Sequence, residues 1–171
     1  MAIYVTSDAH GHVRALDEAL SKISLASDDT LYVLGDMIDR GPDPVGVIKL
    51  VRSLPNARVL KGNHEQIMLD AIIGQDPLDA ETWDINGGWT TRQQLNDMEF
   101  EAYEELVRWM ATLPLYAVAE TDERPYLLVH AGIQTEAARA FLLEHGVDCA
   151  DGAGAVDADR ELLKQMLAVQ S

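Results

Sequence analysis

The sequence predicts an α/β fold, a sheet flanked by helices, and three observations carry that expectation. Short apolar, β-branched runs alternate with helix-like stretches through the amino-terminal half. Four apolar runs end directly in polar clusters containing glycine, as expected where strands of an open sheet present their carboxyl ends to a ligand. Hydrophobic residues make up 47% of the 171 positions and charged residues 25%, an ordinary balance for one globular domain with a single core.

The elements follow in order. Residues 3–6, Ile-Tyr-Val-Thr, read as the first strand, and residues 13–23 carry apolar side chains at helical spacing. Residues 31–34 form a short apolar run, residues 44–54 a second helix and residues 57–60 a third strand, completing a β-α-β-α-β rhythm. Residues 68–73, 91–95 and 101–113 read as further helices, and residues 115–119 and 126–129 as strands. Residues 137–144 and 159–169 look amphipathic and helical, joined by a link rich in Gly and Asp around Cys149. No composition break or internal repeat divides the chain, so residues 1–171 are expected to form one domain.

Thirteen basic against 29 acidic side chains give a net charge of −16, which argues against a nucleic-acid or anionic-membrane partner. The same charge would repel a phosphate anion unless cations in the site reverse the local field, and bound metal would do so. No apolar run approaches membrane-spanning length, and the first residues lead straight into a strand without a signal-like segment. One cysteine excludes an internal disulfide, so a cytoplasmic location is expected.

The four clusters are Ser7-Asp8-Ala9-His10-Gly11, Gly35-Asp36-Met37-Ile38-Asp39-Arg40-Gly41, Lys61-Gly62-Asn63-His64-Glu65 and His130-Ala131-Gly132. If their strands share one rim, Asp8, Asp36, Asn63, His10 and His130 bring oxygen and imidazole donors together without a thiolate, a set suited to manganese, iron or zinc. An extended Asp8-Ala9-His10 segment would point its first and third side chains the same way. The two oxygens of Asp36 could bridge two ions roughly 3.5–4 Å apart, the spacing that clamps an in-line displacement at phosphorus.

In order, these clusters resemble the signatures of the calcineurin-like metallophosphoesterases. They are most similar to the bacterial serine/threonine phosphoprotein phosphatases related to the phage lambda enzyme. Asn86-Gly87-Gly88-Trp89-Thr90 and Leu113-Pro114-Leu115-Tyr116 also resemble segments of that subgroup, so the likeness covers about residues 3–133, with residues 134–171 a helical tail. The resemblance implies a β-sandwich flanked by helices and two divalent ions, manganese first, with iron or zinc as alternatives. Asp8 and His10 would hold the first ion, Asp36 would bridge, and Asn63 and His130 would hold the second. His64 would protonate the leaving oxygen, oriented by Asp39; Arg40 would clamp the phosphate, with Asn63 also reaching it; and a metal-bound hydroxide would attack.

The family's later Gly-His-Thr segment, which adds a histidine to the second ion, has no counterpart here. The second ion is thus expected to keep three protein ligands, with His145 the one later histidine available as a substitute. An incomplete second sheet would leave an apolar edge that a homo-oligomer could cover.

Simpler readings compete. Asp8 or Asp36 alone would pass for a helix N-cap, and Asp39-Arg40 for a surface ion pair. A zincin helix at Asn63-His64-Glu65 fails because position 68 is Met68. His12 reads as a solvated first-turn residue, Trp83, Trp89 and Trp109 as core or lid packing, and Glu99 to Glu105 as a solvated acidic face. The functional expectation is phosphomonoester hydrolysis, with a serine/threonine phosphoprotein as substrate. The alternatives are hydrolysis of dinucleoside polyphosphates and a catalytically weakened metal-binding or interaction protein.

Overall fold

The computed structural model describes residues 1–74, 76–121 and 125–132. Strands β1 (Ile3–Thr6), β2 (Thr30–Val33) and β3 (Ala57–Val59) form a parallel sheet in that order, with Ile3 beside Thr30 and Leu31 beside Ala57. β2 lies in the middle, and its Leu31, Tyr32 and Val33 are all buried. That explains its unbroken apolar sequence, since a parallel strand covered on both faces has no polar side to present.

Helix α1 (Val13–Ile23) connects β1 to β2, and α2 (Pro44–Ser53) connects β2 to β3. α2 buries Val45, Val47, Ile48 and Val51. Its start is fixed twice: Pro44 occupies the first turn, and the Asp43 carboxylate accepts a hydrogen bond from Gly46 N–H at 2.9 Å. α3 (Asn63–Ile73) follows β3 closely, then α4 (Pro77–Ile85), α5 (Trp89–Asn96) and α6 (Phe100–Ala111). Burying the main cluster of Leu31, Val33, Met37, Ile48, Met68 and Met110 brings roughly 1.5–3 kcal/mol per large side chain.

The α/β class is borne out, and the first five elements lie within a residue of their expected ends. Two differences concern helices. α3 begins at Asn63, five residues earlier than expected, because Asn63, His64 and Glu65 are polar yet helical. α4 was not anticipated; the Asp76 carboxylate accepts from Leu78 N–H at 2.9 Å and Pro77 opens the helix, although its apolar residues make only a weak stripe.

A third difference concerns the rim. β4 (Tyr116–Glu120) and β5 (Pro125–Val129) form a separate antiparallel pair, with Tyr116 opposite Val129. Three motif-bearing strands thus share one sheet, and the fourth does not. The second sheet is tied to the first through Lys61 N–H donating to Pro114 O at 2.8 Å, just before β4. The expected helices at 137–144 and 159–169, with His145 and Cys149, lie outside the described residues. Among the described residues no helix is long and apolar enough to cross a membrane.

Candidate metal centre

The loops after β1 and β2 are not extended. Asp8, His10, Asp36, Asp39 and Arg40 have φ of 57°, 39°, 53°, 67° and 66°, in the left-handed region that costs a non-glycine residue on the order of 1 kcal/mol or more. The expectation of an extended Asp8-Ala9-His10 segment is therefore wrong, although its two side chains still converge. Backbone pairing holds these conformations. Asp8, His10 and Gly11 N–H donate to the carbonyls of Gly35, Asp36 and Met37 at 3.2, 2.9 and 2.9 Å.

Glu65 binds the second loop to the third. Its buried carboxylate accepts hydrogen bonds from the N–H groups of Asp36, Met37 and Gly62, each at 2.8 Å. Burial pushes this carboxyl above its ordinary range, against the lowering pull of the three hydrogen bonds. The contact is so close that a Cβ on Gly35, whose φ is +100°, would lie 2.3 Å from the nitrogen of Gly62.

These loops bring the expected donors together. His10 Nε2 lies 3.9 Å from Asp8 Oδ1 and 3.6 Å from Asp36 Oδ2, and His130 Nε2 lies 3.3 Å from Asp36 Oδ1 and 2.8 Å from Asn63 Oδ1. Two atoms bonded to one ion at ~2.1 Å stand about 3.0 to 3.4 Å apart at right or tetrahedral angles, and farther at wider ones. Of the four separations, 3.3 Å falls in that interval, 3.6 and 3.9 Å correspond to wider angles, and 2.8 Å is a hydrogen-bond distance; the donor set fits divalent cations. Two groups can be drawn with all their donor atoms within 4.8 Å of one another: His10, Asp36 and His64, and Asp8, Asp36 and His130. Asp36 is common to both, as a bridging carboxylate must be. The grouping differs from the expected one in setting Asp8 with His130 and in bringing His64 beside His10.

Neighbouring groups orient the rings. His10 Nδ1 lies 2.8 Å from Ile38 O, so the proton sits on Nδ1 and the Nε2 lone pair faces the cluster. His64 is fully buried, and its Nδ1 lies 2.7 Å from Asp39 Oδ2. Asp39 is itself enclosed: Trp83 Nε1–H reaches both its oxygens at 3.1 Å, and the Thr91 hydroxyl donates to Oδ1 at 2.6 Å. The Asp39-Arg40 surface ion pair is therefore excluded, since Asp39 has no exposure at all. Arg40 turns the other way, its NH1 at 3.1 Å from His10 Nε2 and its NH2 at 2.8 Å from His64 Nε2.

Neither Asp8 nor Asp36 caps a helix; the residues before α1 and α2 are His12 and Asp43. Sequence reasoning missed Glu65, Trp83 and Thr91 as supports. Glu65 left a signal, an acid at the third position of a helix beginning after Gly62. Trp83 and Thr91 left none, because they lie 44 and 52 residues from Asp39. Trp83 fills the core as expected and also donates a hydrogen bond, whereas Trp89 is 62% exposed and packs in no core.

A family model described as calcineurin-like phosphoesterase matches residues 1–164. A symmetrical bis(5'-nucleosyl)-tetraphosphatase of Erwinia tasmaniensis is 32% identical over 136 residues, covering 78% of this chain and 45% of that protein. One of Proteus mirabilis is 32% identical over 139 residues with the same coverages, 78% and 45%. The chain thus spans about half the length of these relatives. A protein serine/threonine phosphatase structure from Saccharomyces cerevisiae superposes with a TM-score of 0.58 at 20% identity, covering 79% of this chain and 39% of that one, a likeness of fold. The relatives carry the name of the alternative reading, dinucleoside polyphosphate hydrolysis, rather than that of the serine/threonine phosphatases.

Proposed function

This chain belongs to the calcineurin-like phosphoesterase family, and from that premise we propose that it hydrolyses phosphoesters at a pair of divalent ions bridged by Asp36. The single observation that carries the reading is the Asp36 carboxylate, common to two groups of donor atoms. Bound there, the ions would supply the Lewis acidity that polarises a phosphoryl group and acidifies water. His10 would offer Nε2, with Ile38 O keeping the proton on Nδ1; Asp8 would add a carboxylate, and Asn63 and His130 would complete the side near the β4–β5 pair. Manganese is the proposed metal.

His64 is proposed to deliver a proton from Nε2 to the leaving oxygen as the phosphorus–oxygen bond breaks. Its Nδ1–H bond to Asp39 fixes the ring and leaves Nε2 as the nitrogen that faces the cluster. Arg40 adds a condition. While its NH2 donates to His64 Nε2, that nitrogen has no proton to give, so the guanidinium has to move. A phosphate that draws Arg40 onto its oxygens would free His64 in the same motion.

For the substrate, the relatives at 32% identity support a dinucleoside polyphosphate, whereas Gly62 to Glu65 and Asn86 to Thr90 support a phosphoserine or phosphothreonine protein. Turnover of diadenosine tetraphosphate against a phosphopeptide separates them. The activity itself is tested by metal content per chain together with manganese-stimulated hydrolysis of p-nitrophenyl phosphate. Metal uptake without hydrolysis would leave a binding protein, and neither would end the proposal.

A further inference from the structure

We propose that the corner between α4 and α5, residues 83–91, positions both groups that would act on the substrate, holding His64 through Asp39 and Arg40 through Gly87. The inference rests on the hydrolytic reading above and deepens it, because a segment with none of the proposed metal ligands then sets both the proton donor and the phosphate clamp.

The contacts to Asp39 are direct. That residue has no exposure, so its carboxylate depends on protein donors. The corner supplies two of them: Trp83 Nε1–H reaches both oxygens at 3.1 Å, and the Thr91 hydroxyl donates to Oδ1 at 2.6 Å. Thr91 Oγ1 also accepts Asp39 N–H at 2.9 Å, which anchors the backbone as well as the carboxylate. With Oδ1 engaged in this way, Oδ2 is turned to His64 Nδ1 at 2.7 Å. Rotating the carboxylate would break the bonds from the corner, so the corner fixes the imidazole through its partner.

Trp83 is itself held. Gly88 packs so closely on it that a Cβ there would lie 2.3 Å from Nε1. On the ring stands the Arg92 guanidinium, 4.8 Å from the centroid and ion-paired with Asp84 at 2.9 Å. Gly87 meets Arg40 in two ways. Its carbonyl accepts Arg40 N–H at 3.1 Å, and a Cβ on it, at a φ of +92°, would lie 3.0 Å from Arg40 Cγ. The stem of the guanidinium thus runs past a position where a side chain would displace it. These corner residues position the reacting groups and do not react.

The test uses the full chain with manganese and compares phenyl phosphate with p-nitrophenyl phosphate, whose better leaving group needs less help from a proton donor. Trp83→Phe is expected to lower kcat by about ten-fold on phenyl phosphate but only about two-fold on p-nitrophenyl phosphate. Thr91→Val should act in the same sense, and Thr91→Ser, which keeps the hydroxyl, should restore the parent ratio. Gly87→Ala should instead raise KM about five-fold for both substrates and leave the ratio of their kcat values alone. In a His64→Ala background Trp83→Phe should add nothing on either substrate. Equal losses on the two substrates, an undiminished loss without His64, or an unchanged KM in Gly87→Ala would overturn the proposal. Should Trp83→Phe fail to fold, Thr91→Val against Thr91→Ser carries the same comparison. If the parent protein hydrolyses nothing, the hydrolytic reading fails by itself, and proton NMR of the chain with diamagnetic zinc decides the positioning. A His64 Nδ1–H resonance, assigned by its loss in His64→Ala, that moves in Thr91→Val and not in Thr91→Ser supports it; an unmoved or absent resonance overturns it.

Discussion

On the β1–β3 side of the donor cluster, Asp8, His10 and Asp36 stand on loops whose backbones are hydrogen-bonded to one another and to the buried carboxylate of Glu65. On the β4–β5 side, one ring, His130, reaches the same place from a separate two-stranded pair. His130 Nδ1 is buried and has no partner among the described residues, whereas His10 Nδ1 and His64 Nδ1 each have one. The difference separates two ways of holding a ligand. A donor with a fixed ring and a paired backbone is preorganised before any ion arrives, and a donor whose far ring nitrogen has no partner depends more on the ion itself.

Substitution of Asp36 removes the residue both sides share. Asp36→Asn should reduce manganese-stimulated hydrolysis of p-nitrophenyl phosphate to background and lower metal content per chain, measured by elemental analysis. Retained activity and metal would remove the basis of the comparison. His64→Ala, confined to the preorganised side, should cost about 10²–10⁴-fold in kcat while leaving metal content unchanged, because the ring is proposed as a proton donor and not a ligand. Loss of metal in that variant would instead make His64 a ligand beside His10 and Asp36.

His130→Ala addresses the weaker side. Metal affinity at one of the two sites should fall by roughly 10–100-fold or more, with the other retained, read by calorimetric titration of manganese. Equal loss at both would mean that the sides are not independent. Glu65→Ala tests the tie between the second and third loops. It leaves three buried N–H groups without an acceptor, at about 1–3 kcal/mol each before relaxation, and should lower the urea midpoint substantially.

The smallest expected effect lies away from the site. Asp29 is held below its ordinary carboxylate range by hydrogen bonds from Ala2 N–H and then Ala26 N–H, which tie the start of β1 to the turn before β2. Because its folded pKa is lowered, its contribution is present above about pH 4 and is lost as pH falls through the folded value. Urea unfolding from pH 5 downward should show a shallower acid loss for Asp29→Asn than for the parent chain.

The sequence made the parallel β-α-β-α-β half legible because its strands are uniformly apolar and its loops carry recognisable clusters. β1 and α1 match to the residue. α4 escaped because it buries chiefly Trp83 and so lacks a continuous apolar stripe. All the expected donors meet, but the local reason offered for Asp8 and His10 was wrong. Their convergence comes from left-handed backbone braced by the next loop, a long-range cause that spacing along the chain does not encode. The Trp83 and Thr91 bonds to Asp39 were illegible for the same reason.

The pairing of β4 with β5 carries one more consequence. Side chains alternate between the two faces of a strand, so sliding this ladder by a single step would turn the end of β5 over. His130, immediately after Val129, would then face away from Asp36. An ion held by both residues would act as a latch on strand alignment, so that the hairpin and the ion enforce one another.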